Sequence, residues 1–193
     1  MTSLRRVLAF VVLLPAVAAL LVVAPAEAAQ APVAEKASCR RTLPSYPILQ
    51  LGDRKPAVRT LQCSLNDLGL GPVVVDGYYG RQTRRAVWKI VKNFEGGPPP
   101  HPFRINNGMW TLLFGCQLPD RQLAEGAHGH AVVVLQRALR AAGGTIVVDG
   151  DFGPQTTAVV KLYQKAQGQT QTGRVTGDTR FMLCMGGVIG QLS

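Results

Sequence analysis

The chain repeats itself, and that repeat limits the folds open to it. Residues 52–65 and 126–139 share the pattern G-x5-V-x2-L-Q-x2-L at an offset of 74. Residues 74–83 and 147–156 then share V-V-D-G-x-aromatic-G-x-Q-T at an offset of 73. Two matches in the same order, one residue apart in offset, identify a duplicated unit of some sixty to seventy residues. A lone Asp-Gly would indicate only a turn.

Each unit reads as three short helices. Val58, Leu61, Leu65 and Leu68 recur at helical spacing on one face, and Val132, Leu135, Leu139 and Ala142 do the same. Gly69 and Gly143 follow as helix stops. The Asp76-Gly77 and Asp149-Gly150 pairs read as turns. Thr83 and Thr156 fall near the start of a second helix, and Pro154 suits a first helical turn. That helix is expected to bury Val87, Ile90 and Phe94 in the first unit, and Val160 and Tyr163 in the second. A third helix carries Trp110 and Leu113, then Phe181 and Leu183. Between the second and third helices the first unit inserts residues 96–102, Gly-Gly-Pro-Pro-Pro-His-Pro, which is expected to be a stiff exposed loop. The second unit has the shorter polar stretch 168–173. The expected fold is therefore mainly α, with two tandem small three-helix modules at 50–116 and 124–187. Residues 29–49 read as linker and lead-in, 117–123 as a linker and 188–193 as a tail.

The first 28 residues read as a leader. Arg5 and Arg6 precede an apolar run from Val7 to Ala24, and Ala26-Glu27-Ala28 closes it with an A-x-A site. Pro15 and that site favour cleavage after Ala28 over an uncleaved membrane anchor, which is the only route to membrane association expected here. The leader holds two of the 21 basic and one of the 11 acidic side chains, so the remainder keeps 19 against 10. A basic exported chain is drawn to anionic surfaces. Outside the cell these are wall polymers rather than nucleic acid.

The order G-x-x-G-x-x-V-x-x-L-Q-x-x-L, then D-G-x-F-G-x-x-T, then a helix, resembles the peptidoglycan-binding domain family. The second unit carries it on Gly126, Gly129, Val132, Leu135, Gln136, Asp149, Gly150, Phe152, Gly153, Thr156, Val160, Tyr163, Gln164, Thr179 and Leu183. The first unit departs from it: Lys55 stands for the second glycine, Tyr79 for the phenylalanine, and Ile90-Val91 for the aromatic-Gln pair. The resemblance implies a helical module that binds wall peptidoglycan in a shallow groove, here without an attached catalytic domain. Peptidoglycan or another anionic wall polymer is the implied partner. Candidate ligand-binding residues are Gln62, Tyr78, Tyr79, Arg81 and Arg84 in the first unit. In the second they are Gln136, Asp149, Asp151, Phe152, Gln155 and Tyr163, and binding is expected chiefly there. The alternative is a secreted regulator or inhibitor that contacts a wall hydrolase through the same modules.

Cys39, Cys63, Cys116 and Cys184 form an even set in an exported chain, which argues for two disulfides. Three pairings are open. The simplest joins Cys39–Cys63 and Cys116–Cys184, each module clipping its own lead-in. No catalytic constellation is legible. His101, His128 and His130 lack acidic or cysteine neighbours at metal-binding spacing. Asp76 and Asp149 sit in turns, where a carboxylate commonly accepts from backbone N–H groups. Ser45 and Ser64 have no activating neighbour. No enzyme activity, cofactor or metal is expected.

Overall fold

The computed structural model describes residues 39–190, so the leader segment 1–28 lies outside the described residues. Six helices follow in order: α1 Pro56–Asp67, α2 Arg81–Val91, α3 Asn107–Gly115, α4 His130–Ala141, α5 Pro154–Ala166 and α6 Gly177–Cys184. The first three form the first module and the last three the second. The expected mainly α class is what the chain adopts, with isolated β-bridges in place of sheets among the described residues. Those bridges repeat as the sequence does. Leu49–Ile105 and Arg54–Tyr78 in the first module correspond to Leu123–Val175 and His128–Asp151 in the second.

The helix signals act where expected. Gly69 and Gly143 take φ of 68° and 100° just past α1 and α4, a region that costs residues with a Cβ more. Gly77 and Gly150 do the same in the Asp-Gly turns. Pro154 opens α5, where its missing N–H is no loss. Asn106 and Thr176 cap α3 and α6 by accepting from the N–H groups of Met109 and Thr179.

One apolar core serves both modules. It is built around α3, which packs on both α4 and α6 of the second module. Residues 108–115 of α3 are all buried, as befits a helix apolar on every side. Trp110 is fully buried, donates from Nε1 to the Pro47 carbonyl at 2.8 Å, and lies beside Tyr46 and Phe114. Burial pushes the Tyr46 hydroxyl pKa up to about 12. Residues 39–49 also join this core through Leu43, Tyr46 and Leu49. Two arginines of α4 hold that lead-in: Arg140 donates to the Leu43 carbonyl and Arg137 to the Thr42 hydroxyl, each at 2.8 Å.

Two expectations need correction. Phe181 was placed beside Leu183 as a counterpart of the apolar third helix, but it is 61% exposed while Leu183 is fully buried. The reason is positional: α6 covers one flank of the core, whereas α3 is covered on all sides. The pairing Cys39–Cys63 and Cys116–Cys184 is the one formed. Cys116, however, is the C-cap of α3 rather than part of a lead-in, so its bond ties the third helix of one module to the third helix of the other. The two helices approach so closely that a Cβ on Gly115 would lie 2.4 Å from the Leu183 carbonyl carbon.

Candidate functional site

The repeated Leu-Gln pairs place a glutamine inside each module rather than on its surface. Gln136 is buried on α4. Its Nε2 donates to Asp149 Oδ1 at 2.7 Å, to the Asp151 carbonyl at 3.0 Å and to Thr156 Oγ1 at 3.1 Å. Its Oε1 accepts from the N–H groups of Gly150 and Asp149 at 2.8 and 3.1 Å. One side chain thus clamps the Asp-Gly turn to the start of α5. Gln62 does the same in the first module with Asp76, Gly77, the Tyr78 carbonyl and Thr83. A third clamp follows α5, where Gln164 bonds Thr172, Gly173, the Arg174 carbonyl and Thr179. Its repeat position in the first module is Val91, so that clamp is missing there.

The turn carboxylates respond to this bonding. The Asp151 N–H and the Gln136 amide hold Asp149 below the usual carboxylate range. At Asp76 burial raises the pKa, but donation from the Tyr78 N–H and Gln62 outweighs it and the net direction is down. A carboxyl depressed in the fold stabilises above its unfolded pKa and loses that contribution as pH falls through the folded value. Both turns therefore weaken only in acid.

Replacing Gln136 by leucine removes the clamp and leaves the N–H groups of Gly150 and Asp149 without their acceptor. An orphaned buried polar group costs about 1–3 kcal/mol. We expect Gln136→Leu to lower stability by at least about 2 kcal/mol in urea unfolding at neutral pH. A loss below about 0.5 kcal/mol would show the clamp to be dispensable.

The candidate ligand-binding residues divide by burial. Gln62, Tyr79, Gln136, Phe152 and Tyr163 are buried. Tyr79 takes the place of Phe152 and uses its added hydroxyl to donate to the Phe103 carbonyl at 2.9 Å, anchoring the end of the proline-rich loop. Tyr78, Arg81, Arg84, Asp149, Asp151 and Gln155 are exposed. Asp149 serves the turn, and Gln155 accepts from the Val147 N–H at 3.3 Å. Asp151 pairs with His128 at 2.7 Å, both well exposed. At the equivalent place in the first module Arg54 lies 4.1 Å from the Tyr78 ring centroid. No group of three or more His, Cys, Asp or Glu among the described residues is placed to hold a metal ion.

Arg81 and Arg84 come together with three residues that the motif comparison did not single out: Arg85, Trp88 and Phe103. These five line an open cleft of about 490 Å³. Trp88 is 42% exposed and its ring stands 6.1 Å from that of Phe103. The Arg84 guanidinium lies 4.6 Å from the Phe103 ring centroid. Arg85 and Trp88 were within reach of the sequence as the i+4 and i+7 partners of Arg81 on one helix. Phe103 was not, because it arrives from beyond the proline-rich loop.

Duplicated three-helix units clamped by buried glutamines, the first of them carrying an open arginine-aromatic cleft, define a small helical module with a candidate ligand site. The family model of the putative peptidoglycan binding domain matches residues 54–89 and 128–183, one segment in each module. The first match stops at residue 89, just before Val91 takes the place of the clamping glutamine. No curated protein and no solved structure is significantly similar to the chain.

Proposed function

We propose that this protein is exported and holds bacterial cell-wall peptidoglycan without cleaving it. The observation that carries this reading is the family match in both modules. Supporting it are two disulfides, which persist in oxidising compartments outside the cytosol, and the leader-like first 28 residues. The net basic charge adds attraction to an anionic wall. The glutamine and carboxylate constellations of the modules are spent on turns and helix starts.

Sedimentation with purified insoluble wall tests this. The protein is expected to pellet with the wall at low and at moderate salt, because exposed charge alone is largely screened beyond about 8–10 Å at physiological ionic strength while close contacts in a cleft are not. Protein that stays in the supernatant at both salt levels overturns wall binding and favours a partner protein. Release of dye from labelled wall by the purified protein would overturn the non-catalytic part of the proposal.

A further inference from the structure

Helix α2 breaks two rules of helix electrostatics at one end. Arg81, Arg84 and Arg85 crowd its first turns, where the backbone's exposed N–H groups favour negative charge. They also stand at i, i+3 and i+4, where like charges repel. No acidic residue lies in this helix, and no carboxylate pairs with any of the three among the described residues. Lys89, by contrast, is engaged by the Leu70 and Gly71 carbonyls. Trp88 follows at i+7, so the exposed indole continues the same stripe. The Phe103 ring, held in place by the Tyr79 hydroxyl on its own carbonyl, closes the far side.

An arrangement that costs the free protein stability and leaves an indole 42% exposed is relieved by an anionic ligand. Guanidinium forks match a carboxylate bidentately, and the flat rings offer apolar area to a sugar face. A cleft of about 490 Å³ is within the size range of small-ligand sites. The second module has nothing comparable. The corresponding positions there are Pro154, Thr157, Ala158, Lys161 and Gly173.

Resting on the wall-binding reading above, we infer that the α2 cleft of the first module is the specificity subsite, and that it takes the free carboxylates of peptidoglycan stem peptides beside their sugar. This moves ligand recognition from the module that best keeps the family pattern to the one that departs from it. Charge selects the stem carboxylate, and Trp88 with Phe103 selects the adjoining saccharide.

The chain has two tryptophans, and Trp110 is fully buried, so Trp88 reports on the cleft. The full chain, with disulfides intact, is titrated with soluble disaccharide-peptide fragments of wall while tryptophan fluorescence is followed. Fragments with free stem carboxylates are expected to give a saturable change. Fragments whose carboxylates are amidated should bind at least tenfold more weakly. The double variant Arg81→Gln, Arg85→Gln should likewise lose at least tenfold, whereas Lys161→Gln, on the matching face of the second module, should match the parent. Equal binding of amidated fragments, an unchanged affinity in the arginine double variant, or tighter competition by a polyphosphate wall polymer than by the fragments would each overturn the inference. Fragments that leave the fluorescence unchanged although the protein pellets with intact wall would overturn this subsite alone. Failure to pellet with wall would instead remove the functional reading beneath it.

Discussion

Replacing Trp110 by alanine is expected to destabilise the described region by about 3–5 kcal/mol, the range for truncating a large buried aromatic side chain. Trp110 is fully enclosed, and its indole N–H is bonded to the Pro47 carbonyl, so truncation leaves a cavity and also removes that hydrogen bond. Because α3 packs on α4 and α6 of the second module as well as on its own, the loss is expected to lower the unfolding of both modules together. Denaturant unfolding followed by far-UV circular dichroism checks this. A first-module transition that shifts while a second-module transition stays in place would contradict the shared core. So would a total loss below about 1 kcal/mol, the ordinary range for a change that touches no core contact.

The second large effect concerns the cross-link between modules. Removing Cys116–Cys184 by the double substitution to serine is expected to cost about 4 kcal/mol, and removing Cys39–Cys63 about 3 kcal/mol, on the chain-entropy model. The order follows from the chain lengths enclosed, which are 68 and 24 residues apart in sequence. Either figure is a large part of the 5–15 kcal/mol typical of a folded domain. Calorimetry of the two double variants and the parent, at one pH and without reductant, measures both. A larger loss from the Cys39–Cys63 variant would reverse the order and point to strain or residual unfolded-state structure as the controlling factor.

The site and the fold were legible to different degrees. Helix starts and stops, the Asp-Gly turns and the duplication were all readable, because each rests on a local property: a fixed φ in proline, a tolerated positive φ in glycine, or a stripe of apolar residues. The motif's polar members were readable as important but not in their role. Gln62 and Gln136 looked like surface groups for a ligand. They face inward instead, because a turn returning beneath a helix needs a donor and an acceptor where water cannot reach. Tyr79 and Phe152 are buried for a related reason, as the aromatic plug under the same turn. The exposed arginines of α2 lay outside the shared motif, and their stripe becomes a cleft only when Phe103 is brought opposite them.

By itself the amino-acid sequence determined that there would be two similar helical modules, where their turns fall, and that four cysteines would make two bridges. Tertiary structure alone decided that the modules share one core, that Cys116 ties α3 to α6 and that Phe181 faces solvent while Trp110 does not. The physical reason is that repeats encode what each unit does with its own residues. They do not encode which of two equivalent helices will be covered by the other unit. Once α3 took the central position, every face of it had to be apolar. Its counterpart α6, packed on one side only, kept a side exposed to water.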